Sequence, residues 1–183
     1  FDQALRLMFN YEKNKSRPFI NDASKKLNSN AIPVIGITGS YSKTTTKKTQ
    51  NKTVVLPSTK TWQWQWPAGG KILARYSAGS ALNKGVDIAG TLGEPVVAAA
   101  PGVVVYAGSG LRGYGNLLII KHSERYLSAY AHNKRLLVAE QGVVKAGQQI
   151  AEIGLSGTDK SKLHFEIRRD GKPIDPLKYL PRR

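Results

Sequence analysis

No cysteine occurs among the 183 residues. Disulfides, a cysteine-based zinc knuckle and a thiol nucleophile are therefore excluded. Acidic side chains are scarce as well: 12 Asp and Glu stand against 28 Lys and Arg, for a formal charge of +16. Such an excess favours polyanionic partners, whether nucleic acid, anionic lipid or an acidic wall polymer. The aromatic-and-basic signatures of the common nucleic-acid folds are missing, so no specific nucleic-acid partner is expected. No apolar run approaches the ~18 residues that a membrane-spanning helix requires. No signal peptide is visible and the first residue is Phe1 rather than Met, which predicts a processed or shortened chain.

The length suffices for one good core and a small extra piece. Residues 1–60 carry 11 basic and 3 acidic side chains, whereas 61–183 carry 17 and 9. The basic excess is thus denser in the first third. Ala4, Leu7, Met8 and Tyr11 sit at helical spacing after Asp2, and Asp22 would cap a second short helix reaching Leu27. These predict a partly helical or disordered N-terminal region. Residues 32–38 read as a strand running into Gly39-Ser40-Tyr41-Ser42-Lys43-Thr44. Gly36, Gly39, Lys43 and Thr44 resemble the phosphate loop of the Mur ligases, in which glycines let backbone N–H groups cradle phosphate. Ser42 stands where that loop needs glycine, and no nucleotide-binding domain follows, so no ATP site is expected. After Lys47 a Lys/Thr/Asn/Gln stretch reads as linker.

From Trp62 the pattern changes. Trp62, Trp64 and Trp66 alternate with Gln63 and Gln65, which predicts a strand presenting three indoles on one face. Short strands punctuated by glycine follow. They are expected near 71–76, 86–89, 95–99, 102–107, 116–121, 126–132, 149–154 and 163–168. Val103–Val105 and Leu117–Ile120 read as buried on both faces. Asp170-Gly171 marks a tight turn, and 175–180 holds at most one helical turn. The fold class is mainly β, an antiparallel sheet domain over 61–183 behind a small N-terminal region and basic linker over 1–60.

Two polar clusters set in apolar strand-like runs stand out: Asn83-Lys84-Gly85-Val86-Asp87, and Lys162-Leu163-His164-Phe165-Glu166 some seventy-five residues later. Tyr130-Ala131-His132 lies between them. Asp87 and His164 are of metal-ligating type, His132 would serve as base or orienting group, and His122 is a further imidazole at a strand end. A hydrolytic zinc site needs three protein ligands and a water. Here the third ligand is wanting, because Asn83 offers a neutral amide and Lys162 would bring an ammonium against the cation at a cost of several kcal/mol.

The residues NKGVDIAG, PVVAAAPGVVVYAG, YLSAYAH and KLHFEIR are similar to the LytM domain of lysostaphin-type zinc endopeptidases, which cut peptidoglycan cross-bridges. The resemblance runs from about Trp66 to Arg183. It implies an antiparallel β domain with a cleft. It also implies that Asn83, Asp87 and His164 fall on metal-ligand positions and His132 and Lys162 on catalytic ones. Asn83 and Lys162 depart from the histidines of the active pattern, so no cofactor is expected; zinc enters only on the alternative reading, a zinc-dependent endopeptidase with an unusual ligand set. AGSGLRGYGN, IIKHS, VKAGQ and the ending DPLKYLPRR resemble the NlpD-type murein-hydrolase activators in particular. That resemblance implies a non-enzymatic activator of a periplasmic N-acetylmuramoyl-L-alanine amidase, working on peptidoglycan during daughter-cell separation. It further implies a place in the periplasm, held to the outer membrane through a segment absent from this chain. An anionic envelope surface is a further partner expected from the charge. Arg112 and Tyr114, on the glycine frame Ser109–Asn116, are expected to join Asn83, Lys162 and His132 in binding the partner. Residues 144–151 resemble a strand-turn of biotinyl carrier domains, but no Met flanks a lysine there and this reading is set aside.

Overall fold

The structure, a computed structural model, describes residues 62–79 and 83–183. The two expected N-terminal helices, the strand at 32–38 and the phosphate-loop-like stretch at 36–46 lie outside the described residues. Ten strands form one antiparallel network: β1 Ile72–Ala74, β2 Val86–Ala89, β3 Pro95–Val97, β4 Gly102–Gly108, β5 Asn116–Lys121, β6 Tyr126–Leu136, β7 Val143–Val144, β8 Gln149–Ile153, β9 Lys162–Arg169 and β10 Lys172–Ile174. The main path runs β1-β2-β9-β6-β5-β4-β7, with β10 on β9 and with β8 joining β3 to β6. Among the described residues no helix is long and apolar enough to cross a membrane, and the only helical segment is a single 3-10 turn, Pro176–Lys178. Asp175 caps that turn by accepting a hydrogen bond from the Leu177 N–H.

Every expected strand from residue 71 onward is present, with ends moved by a few residues. The two short strands β7 and β10 were not foreseen, since two- and three-residue pairings carry almost no periodic signal. Residues 62–66 form no strand, contrary to the alternation of the three tryptophans. Trp62 and Trp64 instead meet edge to face with ring centres 4.8 Å apart, and Trp64 packs on the ring of His122 at 4.9 Å. Trp66 points elsewhere: the Arg183 guanidinium stacks over it at 3.8 Å, and its ring N–H donates to the Pro181 carbonyl. The segment is therefore a wrap tied to the C-terminal residues.

Strand alternation sorts side chains onto two faces. In β9, Leu163, Phe165 and Ile167 are fully buried in the main core together with Val86, Ile88, Tyr130, Ile150 and Ile153. A smaller apolar cluster on the opposite face gathers Leu111, Leu117, Ile119, Ala129 and Ala131. Each buried large aliphatic or aromatic contributes on the order of 1.5–3 kcal/mol, so the core face fixes the register of β9. The other face of that strand is then set without further choice.

His122, fully buried at the end of β5, is held by a closed chain of hydrogen bonds. Its Nδ1–H donates to the Pro101 carbonyl at 2.8 Å. Its Nε2 is then an acceptor, 2.7 Å from the Ser128 hydroxyl. Ser128 lies 2.9 Å from the Tyr130 hydroxyl, which accepts from the Ala99 N–H. Burial drives the His122 pKa down to about 4. This imidazole is a structural one, remote from the polar clusters.

Candidate functional site

The clusters meet because β2 and β9 are neighbours, with Asp87 directly opposite His164. On the other side of β9, Ala131 of β6 lies opposite His164 and Ala129 opposite Glu166. Two alanines leave room beside the long polar side chains of β9. Strand β6 bends at His132, where φ is 64°. Up to Ala131 it pairs with β9, and from Asn133 on it pairs with β8. The bend brings the His132 ring to 6.1 Å from the His164 ring, centre to centre.

Along the non-core face of β9, Lys162, His164, Glu166 and Arg168 form a ladder whose charges alternate once Asp87 of β2 is set between Lys162 and His164. Lys162 Nζ donates to Asp87 Oδ2 at 2.7 Å, and His164 Nδ1 lies 2.6 Å from Asp87 Oδ1. The other His164 nitrogen, Nε2, is 3.2 Å from Glu166 Oε1. Arg168 Nε donates to Glu166 Oε2 at 2.6 Å, and the Tyr114 hydroxyl donates to Glu166 Oε1 at 2.9 Å. Glu166 is wholly inaccessible to solvent and Arg168 nearly so.

Burial alone would push both carboxyls up in pKa. For Asp87, the hydrogen bonds from His164 and Lys162 and their charges outweigh it and hold the group at about 2. For Glu166, the His164 hydrogen bond and the Arg168 charge do the same, again to about 2. Burial pulls His164 down, but the hydrogen bonds to Asp87 and Glu166 and their charges raise it overall. Each ring nitrogen of His164 faces a carboxylate oxygen. A neutral ring would aim a lone pair at one of them, so the geometry is that of an imidazolium donating twice.

His132 is held differently. Its Nδ1–H donates to the Ser156 carbonyl at 2.8 Å, which leaves Nε2 as the nitrogen bearing the lone pair. Burial is the chief cause of its lowered pKa. Ser156 is a hub: its hydroxyl accepts from the Asn116 N–H and donates to the Asn133 carbonyl. Asn83 is engaged within its own loop. Its amide oxygen accepts from the Gly85 N–H at 3.2 Å, and it makes no hydrogen bond to Asp87. A two-residue local contact of this kind competes well with a longer reach.

The loop between β4 and β5 borders this cleft: the Tyr114 carbonyl accepts from the His132 N–H at 2.9 Å. Tyr114 is half-buried with its hydroxyl committed to Glu166, and burial followed by the Glu166 charge pushes its pKa up. Arg112 is exposed. Thus the structure places Asp87, Lys162, His164 and His132 together with Tyr114 behind them, while Arg112 is exposed on the same loop as Tyr114.

Glu166, Arg168 and Ser156 were given no role by sequence reasoning. The first two had a legible signal, since KLHFEIRR places a charged or polar side chain at every second position between buried apolar ones. Ser156 lies in a loop, and nothing in the sequence marked it.

Among the described residues no group of three or more His, Asp or Glu side chains is arranged to hold a metal ion. Asp87 and Glu166 each touch one ring nitrogen of His164. What the arrangement provides is an ion-paired, hydrogen-bonded floor flanked by one imidazole lone pair.

Comparison with known proteins now bears on this cleft. A lipoprotein NlpD/LppB homologue of Pseudomonas aeruginosa is 67% identical over 120 residues, which is 66% of this chain and 40% of that protein. The murein hydrolase activator NlpD of Escherichia coli is 58% identical over 120 residues, 66% of this chain and 32% of that protein. The chain thus spans about a third to two-fifths of the length of these relatives. The second is named as an activator rather than as an enzyme. Among solved structures, a zinc-containing peptidase from Vibrio cholerae matches with a TM-score of 0.58 at 29% identity, over 65% of this chain and 40% of that one. Residues 81–176, just over half of the chain, match peptidase family M23. With that match, the strand order and the relatives in agreement, the chain belongs to peptidase family M23.

Proposed function

We propose that this chain is a non-enzymatic activator of periplasmic N-acetylmuramoyl-L-alanine amidases in peptidoglycan remodelling and daughter-cell separation. It acts through a metal-free cleft floored by Asp87, His164 and Lys162 and flanked by Asn83 and His132. The observation that carries this reading is the state of Asp87, whose two carboxylate oxygens are both taken up by protein cations.

Zinc does not fit the donor set. A ligand carboxylate or imidazole must offer a lone pair at ~2 Å from the metal. Here His164 donates from both nitrogens, and an ammonium occupies the space beside Asp87. A dication brought to ~4 Å from one unit positive charge costs roughly 8 kcal/mol at an effective dielectric of ~20. No hydrolytic step is therefore derived, and His132, Lys162 and His164 stand as vestiges of catalytic and ligand positions. The names of the relatives support the same reading, as murein hydrolase activator and as lipoprotein. A further relative, named outer membrane antigenic lipoprotein B of Haemophilus influenzae and 57% identical over 132 residues, supports a location in the periplasm in association with the outer membrane. The charge of +16 suits contact with peptidoglycan and with an anionic envelope surface.

The test uses dye-labelled sacculi, an amidase of the same cell and the purified chain. The chain alone should release no dye, and the amidase should release it only when the chain is added. Lys162→Glu, which sets a second anion against Asp87 in place of its ammonium partner, should abolish activation. Release by the chain alone, accompanied by stoichiometric zinc and stopped by a chelator, would overturn the proposal in favour of a zinc endopeptidase.

A further inference from the structure

Strand β6 carries one residue too many for its neighbour. Asn116 of β5 lies opposite Asn133 and Leu118 opposite Tyr130, so Ala131 and His132 stand against Leu117 alone. This is a β-bulge, which bends a strand and re-aims a side chain. His132 adopts φ 64° there, a region that side chains other than glycine seldom occupy. Two asparagines hold the bulge. The Asn116 side chain donates to the Asn133 and Lys134 carbonyls, and the buried Asn133 side chain donates to the Asn116 and Tyr130 carbonyls.

The bulge aims the backbone of His132, whereas its ring is aimed from another loop. Residues 155–158 close a β-turn through Thr158 N–H to the Leu155 carbonyl at 3.2 Å. Gly157, at the third position, has φ 69°, and Ser156 before it is not left-handed. That is a type II turn, in which the central peptide is turned over relative to type I. The central carbonyl belongs to Ser156, so the turn type sets its direction. It is this carbonyl that accepts from His132 Nδ1–H. The Ser156 hydroxyl fastens the same residue to the asparagine pair, accepting from Asn116 N–H and donating to the Asn133 carbonyl, each at 2.8 Å. Gly115 closes the other side so tightly that a Cβ on it would lie 2.1 Å from the Ser156 carbonyl oxygen.

We infer that Ser156 is the positioning residue of His132. Its hydroxyl ties the turn to the asparagine pair, the turn directs its carbonyl, and the carbonyl holds the imidazole in the Nδ1–H form. A carbonyl can only accept, so this bond excludes the other neutral tautomer. His132, its ring centre 6.1 Å from that of His164, therefore offers the cleft a hydrogen-bond acceptor at Nε2 rather than a donor. The inference rests on the activator reading above, in which His132 flanks the working cleft, and it names the residue that decides what His132 presents there.

The experiment compares the whole chain with Ser156→Ala and Gly157→Ala by nitrogen NMR of the histidines at about pH 8, where His132, its pKa lowered by burial, is neutral. No partner is needed. Ser156→Ala removes the tie to the asparagine pair, and Gly157→Ala disfavours the turn that directs the carbonyl. In each, the ratio of the Nδ1–H to the Nε2–H form of His132 should fall about fivefold, the scale of one neutral hydrogen bond. His122, whose Nδ1–H rests on the Pro101 carbonyl, should keep its signals and so reports on folding. An unchanged ratio in either variant overturns the inference, and so does a change at both histidines, which would mark general loosening. In amidase activation, Ser156→Ala should raise the half-maximal concentration about threefold or more, yet add nothing to His132→Asn, since asparagine tolerates this φ and lacks the ring. Losses that multiply would mean that Ser156 acts on its own, and an unaltered half-maximal concentration beside a shifted ratio would mean that the form of the ring has no consequence in the cleft. Either result overturns the inference. If the unaltered chain fails to activate, the activator reading fails, while the tautomer ratio still judges whether Ser156 positions His132.

Discussion

Replacing Glu166 by Gln keeps the shape of the side chain and removes its charge. In the native protein Glu166 is completely buried and receives donors from His164, Arg168 and Tyr114. The variant leaves the Arg168 guanidinium and the His164 imidazolium buried without that anion. Two routes give the cost. Removing one partner of a buried pair costs roughly 3–5 kcal/mol. A carboxyl that drops from its ordinary 4.5 to about 2 on folding contributes on the order of 3 kcal/mol at neutral pH. The routes agree on about 3 kcal/mol, or roughly 10 °C in melting temperature for a domain of this size. Because the folded pKa is depressed, the contribution is fully present above the ordinary value and is lost as pH falls toward about 2. Urea denaturation of both proteins should therefore give a constant gap at pH 5–7 that narrows below about 4.5. The His164 pKa, followed by NMR, should drop in the variant, since one of the two carboxylates that raise it is gone. Adding Arg168→Met should recover part of the loss, because it removes the stranded charge. A single variant within about 0.5 kcal/mol of the parent at neutral pH would refute the view that this buried network holds β9 and the loop together.

Two further outcomes follow from local geometry. Gly115→Ala should destabilise by about 2 kcal/mol or more and disturb the Ser156 hub, because the left-handed φ and the contact with the Ser156 carbonyl both exclude a Cβ; urea denaturation would show it, and a neutral effect would mean the loop is looser than described. His122, whose pKa burial lowers from 6.5 to about 4, should make the protein lose on the order of 3 kcal/mol as pH falls from about 6.5 toward 4, since the unfolded chain binds the proton more readily there. Histidine NMR should find this ring neutral at pH 5, and a ring already charged there would refute the assignment.

Much of this protein was legible along the chain. Alternation such as Leu163, Phe165 and Ile167 between polar neighbours identifies a strand with one buried face, because side chains in a strand repeat every two residues. The motifs around Asn83, Asp87, His132 and His164 carried the family resemblance, and Asn83 and Lys162 are legible as departures from its histidines. Periodicity could not place the tryptophans. The alternation of Trp62, Trp64 and Trp66 is that of a strand, but their partners are His122, Tyr126 and Arg183, far away in sequence. That Lys162 or a protonated His164 neutralises Asp87 is an expectation the sequence supports; that both do so is a finding of the structure. A linear pattern names candidate donors but not their distances, and only the pairing of β2 with β9 puts Asp87 opposite His164 with Lys162 in reach, while Asn83 turns to its own neighbour Gly85. The different surroundings of Arg112 and Tyr114 are likewise tertiary. Both residues sit on the same glycine frame, and the buried Glu166 draws Tyr114 inward while Arg112 stays exposed. Composition and period fix what each segment prefers by itself, whereas burial and charge pairing depend on which segments become neighbours.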